Sequence, residues 1–225
     1  SLGRAEDLFV DAQAELENLS STVSLIDSLR YVSPERCGQT LHEIADAYAR
    51  VEAIVLLTPR GTAYCASNPK AFGVSFAERQ YFTDSLSSQG IVWGDLQVSK
   101  VTGKVAIVSA RAARRAGEVS FVVLVVLDVA ALKGQTFAQF QLHVTQATLM
   151  DGKGDILDRT AFDKGVAPFD EATRERLRSA GTGIIRPETR DAVSTLIGVM
   201  KLPMADGRLV FSASIGQIYA EAHRE

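Results

Sequence analysis

Long apolar runs, cysteine and tryptophan are all scarce in this chain of 225 residues. The longest apolar run, residues 121–127, is far shorter than the ~20 residues that span a bilayer. It is rich in β-branched residues and lies between Gly117 and Asp128, so we predict a buried strand. The sequence shows no signal peptide and does not start with methionine, and we expect it to be a piece of a longer protein.

An excess of charge of one sign is also lacking. The formal net charge is −3, and the lysines and arginines are scattered singly along the chain. A protein that binds a phosphate backbone needs a basic stripe, which this pattern does not provide. We therefore expect no nucleic-acid partner.

Catalytic and metal-binding motifs are missing as well. The three histidines, His42, His143 and His223, are not spaced as ligands of one metal ion. The sequence contains no complete P-loop, no nucleophile elbow and no paired carboxylates of the kind used in acid–base catalysis. We expect no metal, no cofactor and no catalytic residue, and a hydrolase or other enzyme is retained only as the third alternative.

The two cysteines allow two interpretations. Cys37 and Cys65 are either two buried free thiols or a disulfide that closes a loop of nearly thirty residues. A disulfide would require an oxidising compartment. The sequence pattern alone leaves both interpretations open.

The first part of the chain is predicted to be helical. Residues 5–29 have an apolar stripe with charge on the opposite face, and a helix of this length would be ~37 Å long. The stripe fits packing in a core, but it also fits the seam of a spine or dimer contact; its members are Leu16, Leu19, Val23 and Ile26. A second helix is predicted to start at Ser33 and Pro34 and to continue to about Arg50.

A repeat organises the remainder of the chain. Residues 53–65 and 147–158 each read as a hairpin, and their turn glycines, Gly61 and Gly154, are 93 positions apart. A second pair of glycines, Gly117 and Gly207, each lies four residues before a phenylalanine, at an offset of 90. Two matches at nearly the same offset predict a duplicated α+β unit built around an antiparallel sheet.

The middle parts of the two repeats differ. The second contains an ordinary charged helix at 169–177, whereas the first contains Arg79, Tyr81 and Phe82. Arginine offers a planar fork of donors that suits a carboxylate, and aromatic rings can shield that contact from water. The alternative is a solvated arginine beside packed rings. Asp128 adds a further requirement, because a buried acid needs a partner, a position at a strand end, or a cationic ligand.

Four segments in this order, 56–67, 76–82, 93–104 and 121–128, resemble the double Cache sensor domains. These domains are the extracytoplasmic inputs of bacterial histidine kinases, diguanylate cyclases and chemoreceptors. The resemblance implies an α+β fold with a long N-terminal helix (1–32), a membrane-distal PAS-like unit (33–135) and a membrane-proximal PAS-like unit (136–225), each unit being an antiparallel sheet flanked by helices. It also implies a periplasmic location, membrane helices in the full-length protein, and any enzymatic output domain outside this chain.

The resemblance also implies a ligand site in the distal unit. Arg79, Tyr81 and Phe82 match the residues that hold a ligand carboxylate, and Asp128 matches the one that meets a ligand amine. Gln97 and Ser99 stand where a tyrosine and an aspartate are usual, so a carboxylate-bearing organic acid or amino acid is expected rather than an amino acid specifically. The predicted ligand-binding residues are Arg79, Tyr81, Phe82, Trp93, Asp95, Gln97, Ser99 and Asp128.

Relatives in the family with cysteines at the same places are similar to this chain, which favours pairing of Cys37 with Cys65 in the periplasm. The resulting hypothesis is a sensor in which ligand binding to the distal unit rearranges a helix across the membrane. The alternative hypothesis is a ligand-free dimerisation or protein-interaction module, with a homodimer formed through the N-terminal helix.

Overall fold

The computed structural model describes residues 2–139, 144–162, 169–185 and 195–215, so His143 and His223 lie outside the described residues. Its helices are α1 (Leu2–Ser24), α2 (Pro34–Asp46), α3 (Gln80–Ser87), α4 (Val129–Gln139) and α5 (Glu171–Ser179). Its strands are β1 (Val51–Leu57), β2 (Ala63–Ala66), β3 (Val92–Trp93), β4 (Gln97–Val98), β5 (Val105–Arg115), β6 (Glu118–Asp128), β7 (Val144–Asp151), β8 (Ile156–Ala161), β9 (Gly183–Ile185), β10 (Thr195–Lys201) and β11 (Gly207–Ser214). Within these ranges no helix combines the length and apolarity that crossing a bilayer requires.

The strands form two sheets with the same order. The first sheet runs β2-β1-β6-β5-β3, with β4 also paired to β5, and the second runs β8-β7-β11-β10-β9. Each strand of the second sheet takes the position of its counterpart in the first, and both terminal hairpins are antiparallel. The predicted duplicated α+β fold is therefore confirmed.

Two turn glycines show why the repeat is visible in the sequence. Gly61 and Gly154 have φ values of 84° and 89°, in the left-handed region that residues with a Cβ avoid. A Cβ at Gly61 would also lie 2.7 Å from the Cα of Ala77, closer than packed atoms approach. The two hairpins therefore both need glycine at the turn, which explains the matching positions.

Helix α1 is shorter than predicted. It ends at Ser24, because Leu25 and Ile26 donate to the carbonyls three residues earlier and tighten the chain into a short 3₁₀ turn at Asp27–Arg30.

The apolar stripe of α1 is buried within this chain. Leu16, Leu19 and Val23 are at most 2% exposed, and the Oγ atom of neighbouring Ser20 lies 2.8 Å from Oγ of Ser109 on β5. Leu16, Leu19 and Val23 therefore pack as core, the first of the two interpretations of the stripe, while Ile26 is half-buried and a homodimer through the N-terminal helix stays a prediction.

Helix α2 begins where the sequence predicted. Ser33 is its N-cap and accepts a hydrogen bond from the backbone N–H of Arg36, and Pro34 occupies the first helical position. The helix ends at Asp46, earlier than predicted, because the next amides bond to carbonyls three residues back. Cys37 and Cys65 form a disulfide that ties this helix to β2, with Cα atoms 5.9 Å apart.

One face of the first sheet carries the core relevant to function. Side chains alternate between faces along a strand, and Val122 and Leu124 on β6 point to the same side. They pack in one cluster with Val108 and Ala110 of β5 and with the buried side of α3. This face is called the α3 face below, and Ser109 lies on the opposite face, against α1.

Candidate ligand-binding site

Helix α3 places Arg79 at the edge of the core and the two aromatic rings inside it. Arg79 is the N-cap and has an extended backbone, with ψ of 130°. Tyr81 and Phe82 are 5% and 3% exposed and belong to the core cluster of the α3 face. The guanidinium side chain stays 25% exposed, so it borders the core and also reaches solvent.

The carboxylate of the preceding residue, Glu78, lies next to the guanidinium of Arg79. Oε1 of Glu78 lies 3.5 Å from Nε of Arg79 and also pairs with the ammonium of Lys100. Lys100 in turn donates to the carbonyl of Ser75 at 3.1 Å, which fixes its position. Hydrogen bonding to Lys100 is the main reason that the pKa of Glu78 lies below its usual value. A ligand carboxylate at Arg79 would therefore compete with a carboxylate that stays ionised.

The phenol of Tyr81 remains protonated over the physiological pH range. Burial raises its pKa to about 12, and the positive charge of Arg79 opposes that rise only in part. A protonated phenol is a hydrogen-bond donor.

Asp128 is the last residue of β6. It lies two residues after Val126 and four after Leu124, which both face the core beside α3, so by strand alternation Asp128 lies on the α3 face as well. Its Oδ1 accepts a hydrogen bond of 2.9 Å from the backbone N–H of Ala131 and so caps α4. Asp128 thus has two of the features that a buried acid requires: it lies at a strand end, and its carboxylate has a hydrogen-bond partner. The cap uses Oδ1, and the second carboxylate oxygen remains the candidate contact for a ligand amine.

Ser99 organises a turn. Its Oγ accepts from the backbone N–H groups of Val101 and Thr102, each at 3.3 Å, and its own N–H donates to the carbonyl of Lys104 at 2.8 Å. The hydroxyl of Ser99 is thus engaged by the backbone. Gln97 is half-buried in β4, and Asp95 is exposed.

Trp93 does not join Arg79. It is paired with Ser109, the β5 residue that faces α1, and its Nε1 donates to Oε1 of Glu17 on α1 at 3.3 Å. Its neighbour Val92 pairs with Ala110 and packs toward the α3 face instead. The prediction that Trp93 lines the site with Arg79 is therefore wrong, because the alternation of β3 turns the indole to the other side of the sheet.

Arg114 is a residue of this region that sequence reasoning missed. Its Nη2 donates to the carbonyls of Leu86 and Ser88, at the C-terminal end of α3, and its Nη1 donates to the carbonyl of Gly117. The guanidinium thereby satisfies carbonyls that a helix end leaves open and links α3 to the β5–β6 hairpin. No local pattern indicates this link, since nearly thirty residues separate Arg114 from Leu86.

Within the described ranges no three His, Cys, Asp or Glu side chains are arranged to hold a metal ion. The chemistry of the first unit is instead that of a guanidinium, a protonated phenol and a strand-end carboxylate.

Comparison with known proteins gave matches to solved structures only. No protein-family model matches this chain, and no curated protein does. A domain of a sensory box/GGDEF family protein from Vibrio parahaemolyticus is 15% identical, with 97% of this chain and 95% of that chain covered and a TM-score of 0.71. The sensor domain of the V. cholerae histidine kinase DctB is 14% identical, with 95% and 94% covered and a TM-score of 0.66.

The sensory domain of the Campylobacter jejuni chemoreceptor Tlp3, solved with isoleucine bound, is 12% identical; 97% of this chain and 91% of that chain are covered, and the TM-score is 0.65. Identities this low show the fold alone. The chain therefore has the α+β, double PAS-like fold of Cache-type extracellular sensor domains.

Proposed function

We propose that this chain is the extracytoplasmic ligand-sensing domain of a membrane signalling receptor, and that its first unit binds a small carboxylate-bearing molecule at Arg79. The observation that carries the proposal is the position of this guanidinium at the start of α3, at the border between a closed aromatic core and solvent. A planar donor fork in such a place suits a carboxylate.

The ligand is an organic acid or an amino acid. Arg79 takes the carboxylate, the phenol of Tyr81 donates to it, and Phe82 keeps water from the contact. Asp128, on the same sheet face, takes a ligand amine where one is present. The sensory domain of Tlp3, which is similar in fold, was solved with isoleucine bound, and this supports an amino acid as one class of ligand.

The ligand acts on output by favouring one arrangement of the helices over another, since a signal requires different affinity for two states. The elements for this are present in the first unit: α1 packs on the opposite face of the same sheet through Ser20 and Ser109, and β6 leads through Asp128 into α4. The domain itself is non-enzymatic, the first unit is membrane-distal, and an output domain lies elsewhere in the full-length receptor.

Thermal unfolding with a panel of carboxylic and amino acids tests the proposal. A ligand at a hundred times its dissociation constant stabilises a protein by about 2.7 kcal/mol, which gives a clear rise in melting temperature. We expect Arg79→Ala to abolish the rise and Arg60→Ala, in the exposed hairpin turn, to leave it intact. A rise that is the same in Arg79→Ala as in the natural chain would refute the site.

A further inference from the structure

The second unit contains a buried arginine whose donors are incompletely used. Arg208 of β11 is only 7% exposed. Its Nε donates to the carbonyl of Ala180 at 2.9 Å, and this is its one hydrogen bond in the part of the chain that the structure describes. Its Nη1 is fully buried and has no partner there. A guanidinium keeps its charge at any physiological pH, and an unneutralised buried charge is costly.

The first unit provides an internal comparison. There, Nη2 of Arg114 holds the C-terminal end of the middle helix by donating to the carbonyls of Leu86 and Ser88, and Nη1 donates to the carbonyl of Gly117 in the β5–β6 turn. Arg208 approaches the corresponding end of α5, because Ala180 is the C-cap of that helix. It binds this end through Nε alone. In the second unit, Nε of Arg208 is therefore sufficient to bind the end of the helix, and Nη1 and Nη2 are not used for this.

The surroundings of Arg208 favour an anion. Arg208 lies between Met150 of β7 and Lys201 of β10, its direct cross-strand neighbours, and such neighbours share a face of the sheet. Met150 belongs to the core cluster of the second unit, so one side of the guanidinium is apolar. Lys201, its partner on β10, adds a second positive charge on the other side, and the one bond described for Arg208 goes to a neutral carbonyl.

We propose that Arg208 is the centre of a second binding site, in the second unit, for a small oxyanion. The anion's oxygens accept hydrogen bonds from the terminal nitrogens in the bidentate manner that suits carboxylate, sulfate and phosphate groups. The site goes beyond the proposed function, because every residue named for it belongs to the second unit and it does not depend on Arg79.

Binding of acetate and sulfate tests this site. The chain is exchanged into a chloride buffer free of oxyanions, and melting temperatures are measured against sodium acetate or sodium sulfate, with sodium chloride of equal ionic strength as reference. We expect a saturable rise with at least one of the two salts, in the natural chain and in Arg79→Ala alike. In the background of Arg79→Ala, where acetate has no site in the first unit, adding Arg208→Gln should abolish the rise or increase the apparent dissociation constant on the order of tenfold or more, the factor for one charge-assisted hydrogen bond.

Arg208→Lys is the second variant. It keeps the positive charge but lacks the planar fork, so it should also lose the saturable rise, and it remains informative where Arg208→Gln does not fold. A rise that persists when Arg208→Lys is added to Arg79→Ala, or the absence of any saturable rise in Arg79→Ala alone, would overturn the proposal. A rise that disappears in Arg79→Ala but persists in Arg208→Lys would contradict this site while supporting the one in the first unit.

Discussion

Nε of Arg79 lies 3.5 Å from Oε1 of Glu78, so the candidate carboxylate clamp already has a carboxylate beside it. Lys100 pairs with the same oxygen and is itself tied to the carbonyl of Ser75. Glu78 therefore lowers the positive potential at Arg79 and competes with a ligand. When a ligand carboxylate displaces Glu78 from Arg79, Glu78 keeps Lys100 as its ion-pair partner.

Replacing Glu78 with glutamine should strengthen the binding of carboxylates. Exposed ion pairs contribute about 0.2–1 kcal/mol, so we expect an affinity increase of up to about fivefold. The pKa of Glu78 is below its usual value, so the residue stays ionised and the ratio of the two affinities should be constant between about pH 5 and 8. Isothermal titration calorimetry at several pH values measures the affinities of the natural chain and of Glu78→Gln. Glu43→Gln, on the exposed side of α2, is the matched control, and weaker binding by Glu78→Gln would contradict the competitor role.

Tyr81 should make the protein sensitive to alkali. Its folded-state pKa of about 12 lies above the ordinary value of about 10, so the stability linked to the neutral phenol is complete below pH 10 and is lost as the pH rises toward 12. The loss should be on the order of 2 kcal/mol, and Tyr81→Phe should remove this pH dependence. Urea unfolding at several pH values between about 9 and 12 measures it. Exposed Tyr31→Phe is the control; an equal effect of both variants would contradict the assignment.

The Cys37–Cys65 disulfide should stabilise the first unit. A cross-link that closes a loop of 28 residues is worth about 3 kcal/mol on a chain-entropy argument. We expect the double variant Cys37→Ala and Cys65→Ala to lower the free energy of unfolding by about that amount in urea titrations. Dithiothreitol should destabilise the natural chain to the same level and leave the double variant unchanged. Insensitivity of the natural chain to the reductant would show that the bond does not contribute.

Arg114 should position α3 and, through it, Arg79. Arg114→Gln removes the donors at the carbonyls of Leu86 and Ser88, so the last turn of α3 should open more readily. Hydrogen exchange of the amides at 84–88 should become faster, and carboxylate affinity should fall several-fold while exchange in β6 is unchanged. Arg115→Gln, at the exposed neighbouring position, is the control. Faster exchange with unchanged carboxylate affinity would show that the C-terminal end of α3 does not influence binding at Arg79.

Local patterns in the sequence predicted the fold well. Gly61 and Gly154 occupy equivalent positions in the two repeats because both hairpin turns need a left-handed residue. The start of α2 depends only on the adjacent residues Ser33 and Pro34. The end of α1 was missed because tightening into a 3₁₀ turn leaves the apolar spacing nearly unchanged. Features set by neighbouring residues are thus recoverable from the sequence.

The site was only partly predictable, because its contacts join distant parts of the chain. The pairing of Glu78 with Lys100 and that of Arg114 with α3 have no periodic signal. Trp93 was misplaced for a different reason. A two-residue strand shows too little alternation to reveal which face a side chain takes, and only the register with Ser109 turns it toward α1.

Asp128 should act both as helix cap and as amine contact, and one substitution separates the two roles. Asparagine caps a helix about as well as aspartate, so Asp128→Asn should keep the bond to Ala131 and change the free energy of unfolding by only a few tenths of a kcal/mol. It removes the negative charge, so the affinity for an amino acid found in the ligand panel should fall about tenfold or more.

The same variant should bind the corresponding carboxylate without an amino group as tightly as the natural chain does, because that ligand does not need the charge. Asp128→Ala, which loses the cap as well, should cost about 1 kcal/mol of stability in urea titrations. Calorimetry with the two ligands on both variants distinguishes the roles. Equal binding of the amino acid by Asp128→Asn and the natural chain would leave Asp128 with the cap alone and restrict the ligand to carboxylates recognised through Arg79.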